Sequence, residues 1–387
     1  GGGGGGGGGA PAPAPSPSGA PSAPSSGSQI NLSPSLLSAT ASSAYGESSL
    51  KSLKKIMSML SSASKMGDAT DDRTPYYVPS SEVFEELLKV VLSKTHKVVY
   101  KHLNLTPPAN PDDPIPASKY SSAPSWPKIH PILQSFFRSC STLLTSQKSL
   151  PLLLTMLKAL QHYVPLLPDD KSSRSLLKTC IGLWSGVVDS PSYNQVRLEA
   201  FLRIRQMSIT RPFPFIEDAL KGCYLAYSRY AKFTSEANLQ NITFLGNGVV
   251  ELYSIDPDSS YQHAFVYIRQ LALHLRKAVT TQSKEAYRVV YGWQFMNGLR
   301  VWSAVVSNLP ASNELRDLAY PLSSIILGVA SLLPTARHLP ARLHCARMLQ
   351  QISAATETYI PTGTVLLDVL TGTPELLRRP PTKSSSP

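Results

Sequence analysis

Apolar residues recur at three- and four-residue spacing along most of the chain, and this spacing predicts α-helices. Val83, Leu87 and Val91 illustrate the pattern in the N-terminal part. Ser81 is the predicted N-cap of that helix, because acidic residues follow it in the first turn, where the helix dipole favours negative charge. No segment shows the strict alternation of a half-buried strand over a comparable length.

From residue 128 onward the predicted helices come in pairs, separated by short polar or proline-marked turns. The pairs are 128–146 with 150–164, 172–187 with 192–208, 214–231 with 236–253, 260–280 with 285–308, and 313–333 with 340–355. Pro151, Pro191 and Pro340 each fall where a first helical residue belongs, since proline's missing N–H does no harm there.

The spacing of the pairs predicts the fold class. Successive pairs begin 44, 42, 46 and 53 residues apart, close to the period of about 40–47 residues that is typical of stacked helical hairpins. We therefore predict an all-α protein, an α-solenoid of HEAT- or armadillo-like hairpins. Within it, the segment Tyr261–Val279 is apolar on most of its surface, which predicts a helix buried between its neighbours.

Composition divides the chain further. Residues 1–46 contain no charged side chain, and 38 of the 46 are Gly, Ser, Ala or Pro. Such a segment has too little apolar surface to offset the entropy of ordering it, so we predict a disordered tail, which is either a tether or without a role. The other predicted parts are an N-terminal helical segment (47–106), a Pro-rich linker or loop (107–127), the helical-repeat domain (128–371) and a polar tail (372–387).

The overall composition narrows the class of protein. Among 387 residues, 37 Lys and Arg face 25 Asp and Glu, giving a formal charge of +12, which favours nucleic acid or an acidic protein as partner. The four cysteines are widely separated and predict neither a disulfide framework nor a zinc site. The N-terminus shows no secretory signal pattern, and the apolar stretch Leu322–Leu333 is too short to span a membrane. We expect a soluble intracellular protein.

Motifs for catalysis are absent from the sequence. There is no GxxxxGK[ST] phosphate loop, and Gly246-Asn247-Gly248 lacks the third glycine and the preceding strand of a dinucleotide fingerprint. His344 and Cys345 are adjacent on a predicted helix and therefore point in different directions, which is poor geometry for a shared metal. We predict a protein that is not an enzyme, with no cofactor, no metal and no small-molecule substrate.

Positive charge is concentrated between residues 259 and 350. This stretch holds ten basic residues against three acids, and eight of the ten are arginine, which suits bidentate contacts to phosphate or carboxylate. The arginines either face RNA or an acidic partner, or form a solvated face whose stems cover apolar neighbours. The candidate contact residues are Arg269, Arg276, Lys277, Arg288, Arg300, Arg337, His338, Arg342 and Arg347.

One turn within this stretch is of particular interest. Pro334 and Pro340 bracket it and constrain Arg337 and His338 before a new helix begins. The turn is either a contact site or a sharp hairpin corner. The aromatic residues of the stretch, Trp293 and Trp302 among them, fit core packing better than base stacking.

Several segments resemble one known family. They are SYQHAFVYIRQLALHLRKA (260–278), EAYRVVYGWQFMNGLRVWSAVVS (285–307), PFPFIEDALKGCYLAYSRYAKF (212–233), WPKIHPILQSFFRS (126–139) and, most distinctively, PTAR–LPARLHC within 318–370. Together they are similar to the nucleolar complex protein 2 family over roughly 80–370. The chain departs from that family in its uncharged tail, where members usually carry a charged extension, and members continue past the segment that ends here near Leu370.

The resemblance implies a location and a role. It implies a helical-repeat protein of the nucleus, found in the nucleolus and nucleoplasm, that is a non-enzymatic assembly and export factor for the precursor of the large (60S) ribosomal subunit. The implied partners are the sister nucleolar complex proteins 1 and 3 and the pre-60S particle, through its ribosomal proteins or pre-ribosomal RNA, and no membrane. Two alternatives keep the solenoid: a nuclear adaptor in chromatin or transcription regulation that binds histones or regulators, and a transport-receptor-like cargo carrier.

Overall fold

The structure is a computed structural model that describes residues 1, 29–65, 74–110, 112–186, 191–211, 213–309 and 314–372. Its regular elements are almost all α-helices, which confirms the predicted all-α class. A two-residue parallel pairing joins β1 (Ile30–Asn31) to β2 (Tyr76–Tyr77), with Ile30 opposite Tyr76.

The helices follow the chain in order, and several bounds lie within two residues of the predicted ones. They are α1 (Pro34–Ala41), α2 (Leu50–Lys65), α3 (Ser81–His102), α4 (Ala117–Ser121), α5 (Trp126–Ser146), α6 (Leu150–Leu160), α7 (Asp170–Ser185), α8 (Pro191–Thr210), α9 (Phe215–Tyr230), α10 (Glu236–Leu252), α11 (Pro257–Thr281), α12 (Lys284–Val290), α13 (Trp293–Asn308), α14 (Ala319–Leu332), α15 (Leu339–Thr356) and α16 (Thr362–Gly372).

Local signals set most of these bounds. Ser80, one residue before the predicted cap, is the N-cap of α3, and its hydroxyl accepts a hydrogen bond from the backbone N–H of Val83. Ser283 caps α12 in the same way. The predicted helix 285–308 is in fact two helices, because the chain breaks at Tyr291 and Gly292 before α13 begins.

The hairpins stack in two layers. In one layer α2 packs on α5, α5 on α7, α7 on α9, α9 on α11 and α11 on α14. In the other layer α3 packs on α6, α6 on α8, α8 on α10, α10 on α13, and α13 on α15. Each hairpin therefore buries its apolar face against its neighbours, which is the arrangement of an α-solenoid.

A single apolar core runs through the stack from Leu32 to Val365. Trp302 on α13 lies at its centre, fully buried, with its ring 4.9 Å from that of Tyr224 and 5.2 Å from that of Tyr253. Its indole N–H donates to the Tyr224 hydroxyl at 3.3 Å. The core therefore joins the N-terminal helices and the repeats without interruption.

The prediction that residues 1–46 form a disordered tail is wrong for the last part of this segment. Residues 29–46 are folded: Leu32, Leu37 and Ala44 are fully buried, and α1 packs on α2. A few well-placed apolar side chains are enough here, because the neighbouring helices supply the rest of the core. Residues 2–28, and the polar tail from 373 onward, lie outside the described residues.

The Pro-rich segment is a loop within the stack. Tyr120 on α4 is buried and its hydroxyl donates to the carbonyl of Leu167 at 3.4 Å. Asp112 is 2.6 Å from the guanidinium of Arg205 on α8. Because α2 and α3 pack on α5 and α6, the segment 47–106 continues the stack on the N-terminal side of this loop.

Among the described residues, one stretch, Glu314–Leu332, has the length and apolarity of a membrane-crossing helix. In the fold it is a short 3₁₀ turn followed by α14, and α14 packs against α11 and α15. Leu322, Ile326 and Val329 are fully buried. The apolar stretch is therefore explained by its place in the protein core.

Candidate partner-binding surface

A groove of about 470 Å³ opens where the N-terminus of α10 meets α13 and α15; we call it the α13–α15 groove. Its two long sides come from consecutive repeats, because α13 and α15 occupy adjacent places in one layer. The lining residues are Thr234, Ser235, Glu236, Leu239, Trp293, Met296, Asn297, Arg300, His344, Arg347, Met348 and Gln351.

One side of the groove is fixed by the buried amide of Asn297. Its Nδ2 donates to the carbonyl of Ala231 at 3.0 Å and to the hydroxyl of Thr234 at 2.8 Å. A capping box then starts α10, with the backbone N–H of Ser235 donating to the side chain of Asn238 at 2.8 Å. These bonds hold the α9–α10 loop against α13.

The groove has a cationic rim. Arg300 on α13 and Arg347 on α15 are both exposed, and His344 on α15 lines the groove with them. Burial, and then the positive charges of Arg300 and Arg347, lower the pKa of His344. Within the part of the chain that the structure describes, no carboxylate forms an ion pair with Arg300 or Arg347.

The floor of the same groove is apolar. Met296 and Met348 are buried beneath it, whereas Leu239 and Trp293 are 42% and 45% exposed. The Trp293 ring meets the His344 ring edge-on, with centroids 6.0 Å apart. Trp293 is thus at the surface, contrary to the expected core packing, while Trp302 is fully buried as expected.

A second basic surface lies on α11, where Arg269, Arg276 and Lys277 are all exposed. The predicted burial of this helix on most sides is wrong. Phe265 and Leu273 are 47% and 52% exposed. We call this side of the helix the α11 face; its exposed members are Phe265, Val266, Arg269, Leu273, Arg276 and Lys277.

The reason for this exposure is the two-layer packing. The opposite side of α11 carries the buried residues Ala264, Ile268 and Ala278, and the helix packs on α9, α12, α13 and α14. Among the described residues, no helix covers Phe265 and Leu273 on the other side, and both remain about half exposed. Apolar and cationic side chains therefore alternate on the open side, which has the character of a binding surface.

The turn between Pro334 and Pro340 is anchored from below. His338 is half-buried; its ring lies 4.2 Å from that of Tyr291, and its Nδ1 is 2.8 Å from the Thr335 hydroxyl. The Tyr291 hydroxyl accepts the backbone N–H of Leu333 at 3.0 Å. The neighbouring Arg337 is exposed, so the turn is a firmly held corner that presents one arginine.

The remaining predicted contact residues differ in exposure. Arg288 on α12 is exposed. Arg342 on α15 is only 3% exposed, so its expected role in surface contact is wrong. Its side of α15 is the inner one, together with Cys345 and Leu349. The nine candidates therefore do not share one surface. Two line the α13–α15 groove, three lie on the α11 face, Arg288 is exposed on α12, two belong to the turn before α15, and Arg342 is buried in the core.

Within the described residues, the metal-ligating side chains are scattered and the thiols are buried. Among the described residues, there is no group of three or more His, Cys, Asp or Glu side chains placed to hold a metal ion. The four cysteines are buried and unpaired. Burial raises the pKa of the thiols of Cys180 and Cys345 to about 12, which leaves them protonated and unreactive at neutral pH.

Fold and surface together define a class, that of helical-repeat proteins with exposed basic and apolar faces. Residues 214–387, which include the groove and the α11 face, match the model of the Noc2p family. This match confirms the resemblance to the family that the sequence predicted.

Several named proteins are similar in sequence to this chain over most of its length. It is 33% identical over 357 residues to nucleolar complex-associated protein 2 of Arabidopsis thaliana, covering 92% of this chain and 46% of that protein. It is 30% identical over 305 residues to nucleolar complex protein 2 of Drosophila melanogaster, covering 79% and 38%. Protein REBELOTE of Arabidopsis thaliana is 28% identical over 298 residues, covering 76% and 48%. The chain spans less than half the length of these relatives.

Proposed function

We propose that this protein is a non-enzymatic assembly and export factor for the precursor of the large ribosomal subunit. It acts as a scaffold in the nucleolus and nucleoplasm, in complexes with the sister nucleolar complex proteins 1 and 3. The observation that carries the proposal is the match of residues 214–387 to the Noc2p family. The relatives' names, which place them in nucleolar complexes, support it.

The physical character of the stack supports a scaffold. A two-layer array of hairpins offers long continuous faces to a partner. Charged residues are 16% of the chain, below the roughly 25% of an average soluble domain. The α11 face combines apolar side chains with arginines, which favours a partner that offers both apolar contact and negative charge.

In this proposal the basic residues have a defined role. Arg269, Arg276, Lys277 and Arg288 contact pre-ribosomal RNA or ribosomal proteins of the pre-60S particle. Arginine suits both, because its planar guanidinium pairs bidentately with phosphate or carboxylate. No acid lies between Asp258 and Glu285, so nothing on α11 itself neutralises these charges near the helix centre.

Charge reversal on α11 tests the proposal. We expect Arg269→Glu/Arg276→Glu to shift the tagged full chain from the pre-60S fractions of a sedimentation gradient to the light fractions. The matched control is Arg138→Glu/Lys178→Glu, which makes the same charge change at exposed residues of α5 and α7. Circular dichroism verifies that both variants remain helical.

Three outcomes would contradict the proposal. In the first, the folded α11 variant co-sediments with pre-60S particles as the wild-type chain does. In the second, the wild-type chain is absent from those fractions and follows nucleosomes, as a chromatin adaptor would. In the third, RNase digestion leaves the wild-type complex unchanged in size, whereas a pre-60S particle must shift.

A further inference from the structure

The α13–α15 groove combines an apolar floor with a cationic rim. Its floor is apolar and its rim carries Arg300 and Arg347, with Glu236 as the acidic residue in the lining. A volume of about 470 Å³ falls in the range of roughly 300–1,000 Å³ that is typical of sites for small ligands or a few anchoring side chains.

The rim brings two arginines from neighbouring helices to one groove, since Arg300 on α13 and Arg347 on α15 both line it. Burial, and then the positive charges of both arginines, lower the pKa of His344 in the same lining, and the described residues place no carboxylate in an ion pair with either arginine. Two cations brought together by adjacent helices repel each other. An anionic group bound between them would relieve that repulsion, and a carboxylate matches the guanidinium fork.

The floor selects for an apolar side chain. Met296 and Met348 lie beneath the opening, and thioether side chains adapt to the shape of an inserted group. Trp293 and Leu239 stand beside it, each more than two-fifths exposed. Tryptophan and arginine are the residue types that most often dominate the energetics of protein interfaces, and both are present here.

The same lining disfavours a nucleic acid. Glu236 lies in the groove at the first turn of α10, where its carboxylate repels a chain that carries a phosphate at every residue. A peptide, by contrast, needs only one carboxylate at the arginine rim, and the residues that pass Glu236 can be uncharged. The charges in the lining therefore favour a peptide over RNA.

We propose that the α13–α15 groove binds a short acidic segment of a partner protein. An Asp or Glu side chain of that segment pairs with Arg300 and Arg347, and a neighbouring large apolar side chain inserts between Trp293 and Met348. This inference rests on the proposed scaffold function, because it gives the chemistry of one of the scaffold's partners. The predicted peptide binding can nevertheless be measured on the purified chain alone.

Panning a display library of random 16-residue peptides on the purified full chain tests the proposal. We expect enrichment of peptides that carry Asp or Glu next to Leu, Phe or Trp. The enriched peptide, made with a fluorescein label, is then titrated by fluorescence anisotropy. Its affinity should fall at least tenfold, or about 1.4 kcal/mol, in Arg300→Glu/Arg347→Glu and separately in Trp293→Ala.

The control variant Arg138→Glu/Lys178→Glu should bind the peptide as the wild-type chain does. Panning that enriches no acidic peptide, or equal binding by the groove variants when their circular dichroism is unchanged, would overturn the proposal. So would a 12-nucleotide RNA that displaces the peptide and loses affinity with the same substitutions. Peptide binding that survives while pre-60S co-sedimentation fails would leave the groove proposal standing and remove the scaffold function instead.

Discussion

Replacing Asn297 with alanine is expected to weaken the fold and loosen the α13–α15 groove together. Asn297 is 3% exposed, and its amide makes the two hydrogen bonds that tie Ala231 and Thr234 to α13. Each bond contributes about 1 kcal/mol net, and leaving the buried Ala231 carbonyl unpaired costs about 1–3 kcal/mol more. We therefore expect the free energy of unfolding to fall by roughly 3–5 kcal/mol.

Urea unfolding followed by circular dichroism measures this change. Asn308→Ala is the control, because Asn308 is exposed and its amide bonds only within its own helix, to Ala304; it should stay within about 0.5 kcal/mol of wild type. Asn297→Asp keeps the shape but removes the donor, so it should destabilise at least as much as the alanine. Equal stability of the Asn297 and Asn308 variants would refute the assigned role of the amide.

Five further substitutions, two of them controls, test the core and its ionisation. Trp302→Ala should cost about 3–5 kcal/mol in urea unfolding, whereas Trp293→Ala, at 45% exposure, should cost less than about 1 kcal/mol. Gly248→Ala should destabilise by about 1–3 kcal/mol, since its added Cβ would lie 2.9 Å from a tryptophan ring. Gly246→Ala, with 3.5 Å of room, should be neutral or stabilising. Burial, then the charges of neighbouring His and Lys side chains, lower the pKa of His96 from 6.5 to about 4. The unfolded chain therefore takes up this proton first, and stability should fall as pH drops from about 6.5 to about 4. His96→Gln should flatten that slope in thermal melts across this range.

The hairpin order was predictable because its signals are local. Pro191 begins α8 as expected, and Pro151 and Pro340 lie one residue inside α6 and α15. Proline at a helix start and apolar spacing along the helix are both visible in a single segment. The packing partners of each helix depend on the whole stack, and they cannot be predicted from the spacing of apolar residues alone.

The exposed face of α11 illustrates this limit. The sequence shows that Phe265 and Leu273 are apolar, but burial depends on whether another helix covers them, and the described part of the stack provides none on that side. Arg342 shows the opposite case, an arginine drawn into the core by the inward side of α15. Composition also gave a wrong prediction of disorder at residues 29–46. This uncharged segment is folded, with Leu32 and Leu37 fully buried.

The groove could not have been predicted from the sequence at all. Leu239, Trp293 and His344 follow one another at intervals of about fifty residues. They line one groove because α10, α13 and α15 are consecutive in one layer. Trp293 had the spacing of a core residue. The one signal present was the excess of arginine, and it did not indicate that Arg300 and Arg347 share a site.

Affinity purification of the tagged full chain from growing cells, with mass spectrometry of what it retains, tests the central claim most directly. A scaffold of large-subunit assembly should retain the sister nucleolar complex proteins and proteins of the large-subunit precursor, and Arg269→Glu/Arg276→Glu should retain fewer of the latter. Recovery of histones or transport cargo in their place, with large-subunit proteins at background, would contradict the account.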